Sequence, residues 1–523
     1  MKETFRILVA VVAMAFAGLP CRADWPVWYG PNGNFSAKAE AVAVVDDLKD
    51  APLIWKSEFV PPAAAQSKRY GLAERYPHPS GGGASPIVYS GKLYQFYFVP
   101  SGDAYDEPHV KMLREKFGRE AADATVPKWR ISADDVLLCL DAETGKTLWK
   151  KVFPGEGLNW YDHKGIINNL TPCAFDGNVY FVGSTAILHC LDAGSGKELW
   201  RQPIPGWHED LSEHKRKALE KKVLTQFNRQ NCRALTFASG VVVTPDTYHG
   251  GDRGIHGFDA KTGRHLWHLE RVTGGCVTPL RWITRGGESL IAVNGAGEIT
   301  CIEPRSGKIL WKETSAGYNT FQPVLDKDLL LVNLLGLEAM KKQVAEAMEA
   351  ARHRGQAYEG RQGAAGQLGC YRLSFDGAKL LWKLPKEYGY PYNKAAAVGL
   401  GGIAYVRGGL GEKGLVLVDM PTGKILREDG KLQNNTEAHA FGTGDRVFFE
   451  RDSQHNHLEV QMFAAEPEQW RPLGDVWRPP HPHTTSYQTP ISHPVAGGRI
   501  FIRGKDAIYC YDLRKQGRPL TAR

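Results

Sequence analysis

Histidine, carboxylate and amide side chains gather in a few short stretches of this chain. In Asn434-Asn435-Thr436-Glu437-Ala438-His439, a carboxylate stands two residues ahead of an imidazole at the start of an apolar run. That pairing suits proton transfer, because imidazole titrates near neutral pH. His439 is the leading acid–base candidate, with Glu437 beside it and His163 of Tyr161-Asp162-His163 as a third catalytic candidate. Other stretches supply neutral donors and acceptors: His78 ahead of three glycines, Asn168-Asn169, Tyr318-Asn319, Tyr392-Asn393 and Tyr487-Gln488. Brought together, they would offer hydrogen bonds without strong charge, which fits a polar neutral ligand such as a sugar. The plainer reading, and the commoner one for such residues, is that they cap loops and hold channel waters.

Metal chemistry has weaker support. His455/His457 and His481/His483 are two apart and would share a face on a strand. No spacing matches a closed zinc site, so no metal ligands are assigned.

The elements that must position these residues follow from a repeated phrase. Leu138-Cys139-Leu140-Asp141-Ala142-Glu143-Thr144-Gly145-Lys146-Thr147-Leu148-Trp149 reads as strand, tight turn, strand. Asp caps the turn, and Gly takes the positive φ that a Cβ resists. The phrase returns at 188–200, 258–267 and 301–311, more weakly at 371–382 and 418–426, and truncated at 508–512. A second hairpin precedes each copy, as in Ala174-Phe175-Asp176-Gly177-Asn178-Val179. Each unit is therefore four short antiparallel strands, and units repeated this way build a β-propeller. The phrase Asp-Ala-x-Thr-Gly-Lys-x-x-Trp resembles the repeat of the PQQ-like (pyrroloquinoline-quinone-type) propellers. The opening Asp24-Trp25-Pro26-Val27-Trp28-Tyr29-Gly30-Pro31-Asn32 and the closing Ile508-Tyr509-Cys510-Tyr511-Asp512 resemble a secreted bacterial branch of that family.

The expected fold is all-β: an eight-bladed propeller over residues 85–523, in one domain with an N-terminal approach over 24–84. Blades run from Ser85 to Trp149, Thr171 to Trp200, Ala234 to Trp267, Thr278 to Trp311, Gln322 to Trp382 and Ala396 to Arg427. A degenerate seventh spans Ala438 to Trp477, and its failure would leave seven blades. The eighth runs from Pro490 to Asp512 and lacks an outer strand. The stretch around Trp55 supplies it and closes the ring, removing an open edge. The repeat-locked Trp149, Trp200, Trp267, Trp311 and Trp382 read as a structural girdle between blades. Helix-prone insertions at Asp106–Ala122, Glu209–Leu224 and Leu335–Arg352 fall where strand directions send them to a single face. The candidate residues collect on that same face.

Met1 to Ala23 has a basic start, a short apolar run and small residues before Asp24, the pattern of a secretory signal cleaved after Ala23. The run is too short for a confident membrane span, and no transmembrane anchor is expected elsewhere. A formal charge of +8 over 523 residues gives no reason to invoke nucleic acid. Cys139, Cys190, Cys301 and Cys510 share one slot of the repeat and read as small buried strand residues. A bridge among Cys173, Cys232 and Cys276 is left open.

The resemblance implies a quinone hope: in PQQ-dependent dehydrogenases the cofactor stacks between a Trp and an adjacent-cysteine disulfide, beside Ca²⁺. This chain has no adjacent cysteines and no Cys-x-x-Cys-His haem motif. The expectation is therefore a monomer without cofactor, binding a small polar ligand or an envelope protein at the propeller mouth. The alternatives are a PQQ- and Ca²⁺-dependent oxidoreductase of an alcohol or sugar and, more weakly, a non-redox carbohydrate-active enzyme.

Overall fold

A computed structural model describes residues 24–37, 43–61, 81–104, 130–161, 170–222, 234–247, 253–274, 277–314, 322–334, 367–385, 397–407, 415–429, 438–452, 458–481 and 491–515, with isolated positions between them. Eight sheets with four-stranded antiparallel meanders form the eight blades of a propeller. The strands named by the repeat form because Val, Leu, Phe and Trp alternate between the two inter-blade interfaces. Asp141 Oδ1 accepts hydrogen bonds from the amides of Glu143 (3.0 Å) and Thr144 (2.8 Å) and from the Thr144 hydroxyl (2.9 Å). Gly145 then turns the chain at φ +69°. The same turn recurs around Asp192, Asp259, Glu303 and Asp419.

Each such turn receives a tryptophan from the preceding blade. The indole N–H donates to a carbonyl there: Trp55 to Ala142, Trp149 to Ala193, Trp200 to Ala260, Trp267 to Pro304 and Trp382 to Met420. The indole lies so close to the turn glycine that a Cβ on Gly145 would come within 2.6 Å of Trp55. Directly across the ladder from the tryptophan sits a small residue. Cys139, Cys190, Cys301, Cys370 and Cys510 face Trp149, Trp200, Trp311, Trp382 and Trp55 in turn. All five cysteines are buried free thiols, and so is Cys173, which therefore joins no disulfide. Cys232 and Cys276 lie outside the described residues.

The seventh blade is intact, with inner strand Ala438–Thr443 and outer strand Pro472–Trp477. Blade eight is closed as expected: Leu53–Lys56 pairs antiparallel with Ile508–Asp512, setting Trp55 against Cys510. The blade 2–3 link carries a helix, Trp207–Lys221, two residues ahead of the expected start. The insertions at 106–122 and 335–352 fall mostly outside the described residues. They leave from the second strands of blades 1 and 5, Lys92–Ala104 and Leu329–Asn333, on the face from which the blade links also run.

The N-terminal segment does more than approach the ring. Residues 25–36 touch the inner strands of seven blades in order. Trp25 pairs with Val88 of blade 1, and the Pro26 carbonyl accepts from Ala174 of blade 2. The Tyr29 hydroxyl bonds Thr236 of blade 3, and Gly33 lies so near Leu280 of blade 4 that a Cβ on it would come within 3.8 Å. The carbonyls of Gly33, Asn34 and Phe35 then accept from Leu325, Gly399 and Gly442 of blades 5, 6 and 7. Ser36 and Ala37 add a parallel strand to blade 7. Trp25, Trp28, Tyr29 and Phe35 are at most 2% exposed. Residues 25–36 thus stopper the channel at the face of the short turns.

Candidate functional site

Of the candidate residues, His439 alone lies within the described part. Glu437, His163, His78, Asn168, Asn169, Tyr318, Asn319, Tyr392, Asn393, Tyr487 and Gln488 lie outside it. His439 begins the inner strand of blade 7, as expected, and is 1% exposed. Its ring packs on two stopper residues, Phe35 edge-on at 4.9 Å between centroids and Trp28 at 6.0 Å.

Opposite His439 in the antiparallel ladder stands Glu450, so both side chains face blade 8. There Glu450 Oε1 meets His493 Nδ1 at 2.5 Å, with both side chains almost fully buried. Burial pushes the Glu450 carboxyl above its ordinary range, and the His493 imidazole pulls it partly back. Such a pair sets a carboxyl and an imidazole in hydrogen-bonding contact in low dielectric. The cluster can donate, accept or relay a proton, and its buried polar atoms can orient a ligand's hydroxyls.

Sequence reasoning found His439 and missed its partners. Glu450 ends the apolar run Val447-Phe448-Phe449, where a carboxylate reads as a solvent-facing strand end. His493 was legible in principle: it sits in Ser492-His493-Pro494, one of several polar–proline entries to inner strands. Ser85-Pro86, Thr171-Pro172, Thr278-Pro279 and Gln322-Pro323 are the others. Proline suits the first residue of an edge strand, and the residue before it is held extended. The polar residue is then free to lace blades together. The Ser85 amide donates to Thr171 Oγ1 (3.0 Å), and the Ser492 amide donates to Ser85 Oγ (2.8 Å). The Gln322 side chain takes both main-chain groups of Thr278, at 2.7 and 2.8 Å. These bonds join blade 8 to blades 1 and 2, and blade 4 to blade 5, at the entries to the inner strands, on the side away from the short turns.

The axis does not fit a stacked quinone at the level of His439. Trp28 and Phe35 fill it, and the described cysteines are single thiols within the blades. Among the described residues no cluster of His, Cys, Asp or Glu is placed to hold a metal ion. His481, one of the paired histidines, stacks on Tyr509 with centroids 3.7 Å apart.

Residues 133–322 match the family model described as outer membrane protein assembly factor BamB. Over that stretch the chain is similar to the PQQ-like repeat family, and its fold is a β-propeller. It is similar to a tetrathionate hydrolase of Acidithiobacillus ferrooxidans, 26% identical over 211 residues. That match covers 37% of this chain and 36% of the relative, so it spans about a third of the relative's length. Similar solved structures include BamB from Moraxella catarrhalis, 12% identical over 74% of this chain and 93% of that one, with a TM-score of 0.46. A europium-containing methanol dehydrogenase is 12% identical over 84% and 90% of the two chains, with a TM-score of 0.39. No described helix of this propeller is long and apolar enough to cross a membrane.

Proposed function

We propose that this chain is an exported binding protein that takes a small polar ligand, a carbohydrate by preference, at the loop-side mouth of the channel. The observation that carries this reading is the stopper. With residues 25–36 lodged against seven inner strands, the end where those strands begin is the one left to a ligand, above the buried His439, Glu450 and His493. The Asn, Tyr and Gln stretches lie outside the described residues, and on this reading they are expected at that end. Neutral hydrogen-bonding groups beside a buried carboxyl–imidazole pair would suit hydroxyl-rich ligands. The export half rests on residues 1–23. Calorimetric titration with a panel of neutral mono- and disaccharides tests the site. Saturable binding that weakens about tenfold or more in His439→Gln and Glu450→Gln is expected. No binding of any sugar, with capture of an envelope protein through the same face, would replace the ligand by a partner.

A second, hydrolytic reading is favoured by the Glu450–His493 pair together with the relative named as a tetrathionate hydrolase. Turnover of tetrathionate or a glycoside, lost in Glu450→Gln with the fold intact, would move the assignment from binding to catalysis. The oxidoreductase alternative requires quinone absorbance and dye reduction after reconstitution with PQQ and Ca²⁺.

A further inference from the structure

A second concavity lies well away from the channel, beneath the helix Trp207–Lys221. The helix is anchored by Trp207, Leu211 and Ala218, which are buried. Its neighbouring stripe, His208, Ser212, Lys215 and Leu219, recurs at three- and four-residue spacing and faces a cleft instead of a packed interface. The cleft measures about 530 Å³ and is floored by Glu156 and Arg201 of the outer strands of blades 1 and 2 and by Thr185 and Ile187 where the third strand of blade 2 begins. That volume falls within the range of small-molecule sites, roughly 300–1,000 Å³.

The lining has one sign of charge in excess. Arg201, Lys215 and Arg216 stand against the single carboxylate of Glu156. Arg216 is held on the outer side of the helix by Glu213 and Glu220. Arg201 engages Glu156 through Nη1, at 2.8 Å to each oxygen. Lys215 is the telling residue. Its ammonium donates to the main-chain carbonyls of Gly155 (2.5 Å) and Glu156 (3.1 Å), and among the described residues it bonds no carboxylate. It is half-buried, and burial holds its pKa below the ordinary lysine range. A partly desolvated cation in a cleft of ligand size gains from an anion that completes its shell. Across the cleft, Ile187 and Leu219 offer apolar wall. His208 is locked by hydrogen bonds to the Thr185 carbonyl (2.7 Å) and Ser212 (3.2 Å), so the rim is pre-formed.

We propose that this cleft binds a small organic carboxylate, its anionic end between Lys215 and Arg201 and its apolar body against Ile187 and Leu219. Benzoate is a suitable probe and benzyl alcohol its neutral counterpart, both followed by saturation-transfer NMR on the full chain. Benzoate should bind saturably, and benzyl alcohol about tenfold or more weakly, in line with a charge-assisted hydrogen bond. Lys215→Met keeps the apolar stem and should lose the benzoate preference. Lys217→Met, on the outer face where Lys217 pairs with Glu213, should bind as the parent does. Arg201→Gln, at a half-exposed strand position, gives the same test if Lys215→Met does not fold. Equal affinity for benzoate and benzyl alcohol, or unchanged benzoate binding in Lys215→Met or Arg201→Gln, would overturn the assignment.

Discussion

Asp135 lies buried between blades 1 and 2, where it accepts hydrogen bonds from the Ser184 amide (2.8 Å) and hydroxyl (2.6 Å). Burial outweighs those bonds and raises its pKa from the ordinary 3.8 to about 7. The folded state therefore holds this proton more tightly than the unfolded chain does. The associated stability is fully present below pH 3.8 and is lost as pH rises through about 7. Asp135→Asn should flatten that loss, leaving a difference on the order of a few kcal/mol between the two pH profiles. Urea unfolding of both proteins at pH 4 to 8 measures it, and parallel profiles would show that Asp135 carries no such proton. Asp135 resembles Glu450 in one respect that bears on reading sequences. A carboxylate within or at the end of an apolar run gives no sign of whether the next blade covers it. His439 was legible from its place at a strand start, while the carboxyl that faces it depends on a ladder register and on a histidine of another blade.

Elements were the most legible level, because each repeats a local physical solution. The Asp–Thr–Gly turn, the docked tryptophan and the small residue across from it recur with the same spacing, and the clasp at Trp55 followed from a blade lacking its outer strand. Their energetics can be separated with two glycines. Gly177 has φ +78° and open space around it, so Gly177→Ala meets backbone strain alone, roughly 1–2 kcal/mol. Gly145 has φ +69° and lies under the Trp55 indole, so Gly145→Ala meets the same strain and also displaces the clasp. Gly145→Ala should destabilise by about 1–3 kcal/mol more than Gly177→Ala, the usual penalty of overpacking. Equal losses in urea titrations would mean that the indole yields without cost, and the girdle would then be looser than its hydrogen bonds suggest. The polar–proline entries to the inner strands were equally regular, and they went unread because their partners are main-chain groups of adjacent blades.

At the scale of the molecule, the ring was legible and its stopper was not. A repeat predicts its own closure, whereas Trp25-Pro26-Val27-Trp28-Tyr29 has no internal copy and could pack anywhere. Its place depends on the hole that eight blades leave, which no local pattern encodes. The stopper also explains why a histidine at the start of an inner strand is buried: Trp28 and Phe35 cover His439 from within the channel. Trp28→Ala removes a 2%-exposed indole and should destabilise by about 3–5 kcal/mol. If the stopper is what shields the site, it should also open a path from the short-turn face. Diethylpyrocarbonate, read by peptide mass spectrometry under conditions where the variant stays folded, distinguishes these effects. The parent should show His439 unmodified, and Trp28→Ala should show it modified while His189, buried between Phe153 and Phe181 in blade 2, stays protected. Modification of both histidines would indicate general loosening. Protection of both would mean that packing from blade 8, not the stopper, isolates the site, and ligand entry would then have to be sought between blades instead of along the axis.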